Sequence, residues 1–467
     1  MASRMVHAAN PICETMKKYI IQFAHQHLDF RIPEIRSIVS LIGCEASLKE
    51  CDLVSGSPFM EIKLKNDTDA MRIMKRSVLS KRVYELWAEG TSVKEVKDKI
   101  DSLPSEVTEE YTNNGKSFRI IVETFNKKIS SAEKIKKIEL LTESASVFQA
   151  KINLRTPDVS FHLLEFYEND SKPSEEPLKV FFGRWVADGQ RDAIQQYHLQ
   201  KRHFIANTSM DACLSMVMAN LAQVKHDDFV MDPFVGSGSL LVSSAHYGAY
   251  VMGTDIDYLL LHARAKPSRA CQKTRASDES VRQNLQQYGL ESRYIDVMVA
   301  DASRHRVWRK GCRFDAIITD PPYGIRESAA KIATVDESQV KEVEGAPHYP
   351  QKAQYNIGDI YKDLLNFAAK FLELGGRLVY WLPIFRPEYQ ESNIPQHPCL
   401  RLESNCEQPL NLSISRRLIT MVKDKEFEEI HNSEGASIAV DQYEKESFRQ
   451  KYFKAVVAAG SAEKQSS

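Results

Sequence analysis

The sequence lacks the features that mark membrane, secreted and metal-binding proteins. No run of about 18 apolar residues occurs, which excludes a membrane-spanning helix. The first residues, MASRMVHAANPICETMKK, contain no apolar core followed by a cleavage site, which argues against a secretory signal. The eight cysteines include no C-x-x-C pair, which indicates reduced thiols and neither a disulfide framework nor a zinc site. We therefore expect an intracellular, cytoplasmic protein that holds no metal ion.

Net charge is almost absent as well. Lys and Arg total 62 against 63 Asp and Glu, which gives a formal net charge of −1. Any nucleic-acid surface must therefore come from local clusters of basic residues. The apolar fraction of 43% and the charged fraction of 27% exclude a disordered or fibrous chain. A length of 467 residues predicts two or three domains.

Charge, Ser and Pro concentrate in the segment ENDSKPSEEPL at 168–178, which is the best linker candidate. Before it, strand and helix patterns alternate as in an α+β domain, with a predicted helix over 70–89 and a predicted strand over 147–154. After it, a helix is predicted over 208–221, opened by a Thr-x-x-Asp capping box. We predict four parts: an α+β region at 1–167, a linker at 168–200, an α/β domain at 201–425 and a charged tail at 426–467.

The predicted α/β domain alternates strands with helices, as βαβ units of a mostly parallel sheet require. This pattern is typical of a Rossmann-like fold. The predicted strands are Phe229–Met231, Tyr250–Gly253, Ile295–Val299, Ala316–Thr319 and Arg377–Leu382.

The loop after the first of these strands reads DPFVGSGSL at 232–240. Gly236 and Gly238 let backbone N–H groups approach a ligand at a helix N-terminus, although a tight turn without a ligand is the alternative. The loop has neither the G-x-G-x-x-G spacing of a dinucleotide site nor the Lys of a P-loop. Asp232 would repel a phosphate and suits a ligand that carries an ammonium group.

Two more acidic residues end the next two strands. Asp255, in GTDID, lies where a carboxylate can accept two ribose hydroxyls, and Asp301 lies where it can reach a purine amine. Each acid taken alone is also compatible with a solvated turn. Together with the glycine loop they predict a pocket for a nucleoside with an amino-acid tail, and S-adenosylmethionine fits this description better than NAD or ATP.

The motif Asp320-Pro-Pro-Tyr-Gly follows the fourth strand. An exocyclic amine is a poor nucleophile because its lone pair is delocalised. The Asp320 carboxylate and the Pro321 carbonyl can accept its two N–H bonds, which directs the lone pair toward a methyl donor, and Tyr323 can stack on a base. An ordinary turn is the alternative. This chemistry serves guanine N2, adenine N6 or cytosine N4.

The motifs DPFVGSGSL, GTDID and DPPYG, in this order, resemble those of class I S-adenosylmethionine-dependent amino-methyltransferases. The segments 183–222, 23–38 and 375–383 resemble more narrowly the catalytic subunit of tRNA (guanosine-10 N2)-methyltransferase, and the similarity covers about 19–390. The resemblance implies methylation of guanosine N2 at position 10 of tRNA, and a non-catalytic tRNA-binding scaffold is the alternative of a different class. It also implies a THUMP-type RNA-binding domain at 117–167 and a heterodimer with a small zinc-binding activator protein.

Three local clusters of basic residues support RNA binding, although charge runs also form ordinary solvated helix faces. The candidate RNA-binding residues are Arg72, Lys75, Arg76, Lys127, Lys128, Lys201 and Arg202.

The usual class I strand order places the third strand, at 294–299, at an edge of the sheet. Ile295, Val297 and Val299 make this strand apolar, and it contains no Pro to block pairing. Either another part of the chain covers this edge, or, as the resemblance implies, the activator docks near Val297.

Overall fold

The structure, a computed structural model, describes residues 16–48, 57–112, 115–143, 148, 150–168, 174–270, 272–324, 329–333 and 352–427. The chain divides into two units, one formed by Met1–Leu28 with Ile42–Arg191 and the other by Asp29–Leu41 with Asp192–Ser467. In the described part of the chain, no helix is long and apolar enough to cross a membrane.

The N-terminal half alternates strands and helices, and three of its helices begin at a side-chain cap from Asn66, Ser92 or Ser130. The elements are β1 (Lys17–Phe23), α1 (Arg31–Ile42), β2 (Ala46–Leu48), β3 (Phe59–Leu64), α2 (Asp67–Met74), β4 (Ser80–Gly90), α3 (Val93–Asp101), α4 (Ser105–Thr112), β5 (Phe118–Phe125), α5 (Ser131–Thr142), β6 (Val159–Phe166) and β7 (Lys179–Asp188).

The strands of the first unit form one seven-stranded sheet in the order β2-β3-β1-β4-β7-β6-β5. Every neighbouring pair is antiparallel except β5 and β6. Phe161 and Phe182 stack with ring centroids 5.7 Å apart, and Val96 of α3 and Leu141 of α5 are buried in the same cluster. The apolar faces of these strands and helices thus pack together in one core.

Three sequence predictions differ from this unit. The linker predicted over 168–200 is interrupted by β7, which pairs with both β4 and β6. The helix predicted over 70–89 ends at Met74, and β4 follows, because pairing with β1 and β7 outweighs the local helical period. In the described part of 147–154, only an isolated bridge at Ile152 is found.

The second unit continues the strand–helix alternation, and all five strands predicted for it are present. Its elements are α6 (Asp192–Gln196), α7 (Ala212–Leu221), β8 (Phe229–Asp232), α8 (Ser239–His246), β9 (Tyr250–Asp255), α9 (Tyr258–Leu261), α10 (Val281–Gln287), β10 (Tyr294–Val299), β11 (Phe314–Thr319), β12 (Ala330–Ile332), β13 (Lys352–Gln354), α11 (Ile357–Phe371), β14 (Leu372–Phe385), β15 (Leu400–Pro409) and β16 (Ile414–Lys423).

The large sheet of this unit has the order β10-β9-β8-β11-β14-β16-β15. The first five strands in that order are parallel, and β16 and β15 close the sheet as an antiparallel hairpin. Met231, Ile317 and Leu378 from three strands are fully buried against Leu365 of α11. As predicted, β10 is an edge strand.

Helix α1 belongs to the second unit, although it lies within the N-terminal α+β region predicted at 1–167. Ser37 donates through Oγ to the Asn220 carbonyl at 2.7 Å, and the Asn220 amide donates to Glu34 Oε1 at 2.9 Å. Arg377 donates to the same Ser37 Oγ at 3.2 Å. These buried polar groups satisfy one another and therefore fix α1 against α7 and β14.

The capping box predicted at Thr208 is absent. Asp211 is the N-cap of α7, and its carboxylate accepts the Leu214 N–H at 3.0 Å. The helix therefore begins at Ala212, and residues 207–211 form a loop in front of it.

Candidate active site

A cavity of about 650 Å³ opens at the carboxyl ends of the parallel strands of the second unit. The four acids singled out in the sequence, Asp232, Asp255, Asp301 and Asp320, all line it. They follow or end β8, β9, β10 and β11, and parallel strands bring such positions to one edge of a sheet. The volume lies within the range of about 300–1,000 Å³ that is typical of small-molecule sites.

The two glycines of the β8–α8 loop have different roles. Gly236 has φ of +50°, and a Cβ there would meet no atom within 4 Å, so its backbone faces open space in the cavity wall. Its N–H donates to Asp255 Oδ2 at 2.9 Å. Gly238 is the N-cap of α8 with φ of +76°, and a Cβ there would come within 2.5 Å of Val281. Gly238 therefore permits close packing beneath the loop.

Asp232 lines the cavity and is 2% exposed. Its Oδ1 accepts the Thr319 hydroxyl at 2.7 Å and the Phe234 N–H at 3.0 Å. Burial raises the pKa of this carboxyl to about 7, since desolvation outweighs these two hydrogen bonds. The side chain is thus poised to be ionised by a cationic ligand.

Asp255 and Asp301 are both held by local hydrogen bonds. Asp255 accepts the Gly236 N–H through Oδ2 and the Asp257 N–H through Oδ1, the latter at 2.8 Å. Asp301 Oδ1 accepts the Ser303 N–H and hydroxyl, and its Oδ2 accepts the Ile332 N–H at 2.7 Å. These bonds fix both carboxylates in the cavity wall. Their contacts with a ribose and a purine stay a prediction.

Asp320, Pro321 and Tyr323 also line the cavity. The Tyr323 hydroxyl donates to Asp320 Oδ1, and Arg416 Nη1 lies 3.4 Å from Asp320 Oδ2. Burial and the neighbouring Asp320 raise the pKa of Tyr323 well above its usual range, so the phenol remains a donor. Tyr323 therefore orients the carboxylate, a role that the predicted base stacking did not include.

Arg416 also lines the cavity, and no motif in the sequence indicates it. Its guanidinium carbon lies 4.0 Å from the centroid of the Trp381 ring, and its Nε donates to Gln408 at 2.7 Å. Burial lowers the pKa of Arg416, but Tyr323 and Asp320 raise it by more, so the guanidinium stays charged. Arg416 lies on β16, 96 residues after Asp320, and only the pairing of β16 with β14 brings it to the cavity.

The candidate RNA-binding residues of the first unit lie on its surface to different degrees. Lys75 and Lys128 are exposed, and Arg76 is half-buried. Arg72 donates to the Ile42 carbonyl at 2.7 Å, and Lys127 lies 4.8 Å from the centroid of the Tyr167 ring. Their contact with RNA stays a prediction.

Lys201 and Arg202 are adjacent in the sequence but differ in their exposure. Lys201 is exposed, whereas Arg202 is 1% exposed and donates to Ser239 Oγ at 2.8 Å and to the Tyr197 carbonyl at 3.1 Å. Burial lowers the pKa of Arg202. The prediction that Arg202 contacts RNA is therefore wrong. Its guanidinium is buried inside the second unit, where it links Ser239 of α8 to Tyr197, just after α6.

Two family models match the chain. Residues 17–191 match the model "Tmrp11 THUMP N-terminal domain", which includes the predicted THUMP region. Residues 200–335 match "RMKL-like, methyltransferase domain". Together with the parallel sheet and the acidic cavity, these matches define a methyltransferase that carries an N-terminal THUMP domain.

Curated relatives narrow this class. The chain is 49% identical to "tRNA (guanine(10)-N(2))-methyltransferase TRMT11" of Xenopus laevis, over 94% of this chain and 93% of the relative. The protein of the same name from Homo sapiens is 46% identical over 95% and 96%, and that of Dictyostelium discoideum 35% identical over 89% and 84%. The chain belongs to this family of tRNA (guanine(10)-N(2))-methyltransferases. Among solved structures, TrmN from Thermus thermophilus aligns with a TM-score of 0.41 at 17% identity, over 87% of this chain and 99% of that one.

Proposed function

We propose that this chain transfers a methyl group from S-adenosylmethionine to N2 of guanosine 10 in tRNA. The observation that carries the proposal is the meeting of two motifs in one cavity: the glycine loop with Asp232, and Asp320 with Pro321 and Tyr323. One motif suits an amino-acid-tailed nucleoside and the other an exocyclic amine. Family membership directs the choice of amine to guanine N2.

The cofactor fits the residues that line one side of the cavity. S-adenosylmethionine, when bound, supplies an electrophilic methyl group. Asp232 would hold its ammonium group, since no ion pair to this buried carboxyl is found in the described part of the chain and a cation would stabilise its charged form. The backbone of Gly236 gives the close approach, because nothing fills the space beside its Cα. Asp255, already oriented by two backbone N–H groups, would accept the ribose hydroxyls.

Asp320 and the Pro321 carbonyl accept the two N–H bonds of the guanine amine, which directs the nitrogen lone pair away from the ring. Once the nitrogen carries the methyl group it is cationic, and Asp320 can accept its proton. Tyr323 donates to one oxygen of Asp320 and Arg416 to the other, so the carboxylate is oriented before the substrate binds. Positioning of this kind is a major source of rate acceleration.

The experiment that tests the proposal is nucleoside mass spectrometry. Purified full-length chain is incubated with S-adenosylmethionine and with tRNA from cells that lack this protein, and that tRNA is also analysed untreated. We expect N2-methylguanosine to be missing from the untreated tRNA and restored by the enzyme. Appearance of N6-methyladenosine or N4-methylcytidine would favour the two alternative amines. Cofactor binding without any methylated product would favour the non-catalytic scaffold.

We expect Arg416→Met to lower kcat by about 10- to 100-fold, because a misplacement of about 1 Å at the reacting groups can cost about 100-fold. The Kd for cofactor should change little, since Arg416 touches Asp320 and not Asp232. The acid limb of the pH–rate profile should move to higher pH, because a neighbouring cation favours an ionised carboxylate. Arg416→Lys, which keeps the charge, should restore part of the rate. A loss confined to thermal stability, with kcat and the pH profile unchanged, would contradict this positioning role.

The raised pKa of Asp232 predicts pH-dependent cofactor binding. The ionised carboxylate attracts the cofactor ammonium, and protonation below a pKa of about 7 removes this charge. We expect affinity to fall by as much as tenfold for each pH unit below this value, as measured by titration calorimetry. Asp232→Asn should bind weakly and without this dependence. An affinity for the unsubstituted chain that stays constant from about pH 5.5 to 7 would contradict the assigned contact.

We also propose that the edge strand β10 docks the small zinc-binding activator. Ile295, Met298 and Val299 are 43%, 38% and 45% exposed, so no described segment covers this strand. Residues 428–467 lie outside the described residues. Strand addition would pair the open backbone groups and bury these apolar side chains.

A further inference from the structure

The loop between α9 and α10 contributes to the cavity wall and carries three exposed cations. Arg264, Lys266 and Lys273 are exposed, and Lys266 lines the cavity itself. Arg264 lies 5.8 Å from the centroid of the Tyr258 ring. Among the residues that the structure describes, none of the three forms an ion pair with a carboxylate. We call these three side chains the basic rim.

The backbone that carries the basic rim is held in place by two other arginines. Arg275 donates to the carbonyls of Ala265 at 2.9 Å and Lys266 at 3.1 Å, and its charge is paired with Glu279 at 2.6 Å. Both side chains of this pair are at most 3% exposed. Arg269 donates to the carbonyls of Arg202 and His203, the latter at 2.9 Å. A loop fixed in this way presents its exposed cations without a large ordering cost on binding.

The interior of the cavity has the opposite charge. Six aspartates line it against four basic side chains, and two of those, Arg275 and Arg416, are paired with carboxylates, so the lining is acidic on balance and disfavours a phosphate. A polyanionic substrate can therefore insert only an uncharged base, and its phosphates must stay outside. The basic rim provides cations on the loop that contributes Lys266 to the cavity wall, where those phosphates would lie.

We propose that the basic rim binds the backbone phosphates next to the nucleotide whose base enters the cavity. This inference rests on the proposed function, because it takes the substrate to be tRNA. A base that leaves its stack loses stacking free energy, and phosphate contacts beside it can offset that loss. One cofactor carboxylate would occupy a single cation, whereas three exposed cations on one loop match a repeating anion. The second unit thus binds RNA itself, in addition to any RNA binding by the first unit.

The test compares two triple variants of the full-length chain that remove the same charge. The rim variant is Arg264→Gln/Lys266→Gln/Lys273→Gln. The control is Lys225→Gln/Arg309→Gln/Lys310→Gln, whose exposed cations precede β8 and β11 and so lie at the end of the parallel strands away from the cavity. For each, tRNA affinity is measured from about 50 to 250 mM salt, together with S-adenosylmethionine affinity and methylation kinetics.

We expect the rim variant to bind tRNA at least tenfold more weakly at low salt, with the slope of log K against log salt reduced by about 2 to 3. The control should lose much less, and cofactor affinity should be unchanged in both. Equal tRNA affinity and equal slope in the two variants would overturn the proposal. A selective loss of cofactor binding in the rim variant would also overturn it, by assigning the cations to the cofactor.

Two further measurements keep the outcome decisive. If the triple rim variant does not fold, Lys266→Glu alone is compared with Lys310→Glu, and the first is expected to lose more tRNA affinity. If the unsubstituted chain neither binds nor methylates tRNA, the proposed function fails. If it does both and the rim variants match their controls, only the rim assignment fails.

Discussion

Asp320→Ala is expected to remove methyl transfer and to leave S-adenosylmethionine binding within a few-fold of the unsubstituted chain. Asp320 bonds to Tyr323 and Arg416, whereas Asp232, proposed to hold the cofactor's ammonium group, bonds to Thr319 and Phe234, so the two carboxylates have separate partners. A lost acceptor and proton carrier typically costs about 100- to 10,000-fold in rate. Rate and cofactor affinity are measured on the same preparation, by single-turnover methylation and by calorimetry.

Asp232→Ala should have the opposite effect, a large loss of cofactor affinity. Because Asp320→Ala leaves the half-buried Arg416 without its carboxylate, Asp320→Asn serves as the matched variant, which keeps size and one acceptor oxygen. We expect Asp320→Asn to fold normally and still to be inactive. Equal loss of cofactor binding in the Asp320 and Asp232 variants would refute this division of roles.

The cavity could be predicted from sequence because its acidic residues are local features of strand ends. Asp232, Asp255 and Asp320 each follow a short apolar run that reads as a buried strand. A parallel sheet brings such positions to one edge whatever the length of the connections. The position of β10 at the edge follows from the same topology.

Long-range packing accounts for what the sequence did not reveal. Arg416 reaches Asp320 only because a C-terminal hairpin adds β16 beside β14. Arg202 looks like part of a basic surface cluster, and its burial depends on Ser239, 37 residues away. Helix α1 joins the second unit through Asn220, which is 183 residues from Ser37. These contacts join residues that are far apart in the sequence and belong to no local pattern, so composition and motif spacing could not predict them.

The open edge of β10 predicts the second large effect: without a partner, the chain is expected to be poorly soluble or inactive. An exposed apolar edge strand is an aggregation site unless something covers it. Co-expression with the activator should restore soluble, active enzyme, as measured by yield after gel filtration and by tRNA methylation. A lone chain that is soluble and fully active would contradict this prediction.

Val297→Pro locates the docking edge. The Val297 N–H donates to the Tyr294 hydroxyl at 3.0 Å and to Asp296 Oδ1 at 2.8 Å, while Ala300, further along, donates to the Asp255 carbonyl of β9 at 3.0 Å. Since successive N–H groups of a strand point to opposite sides and Val297 is an odd number of residues from Ala300, the Val297 N–H faces the open edge, and Pro there should spare pairing with β9. In the complex this N–H would exchange its two local bonds for a carbonyl of the partner strand, so loss of that ladder bond, together with the bulk of the ring, should weaken activator binding by about tenfold or more. Val297→Thr keeps the N–H and should bind normally. Unchanged co-purification of Val297→Pro would place the activator elsewhere on the chain.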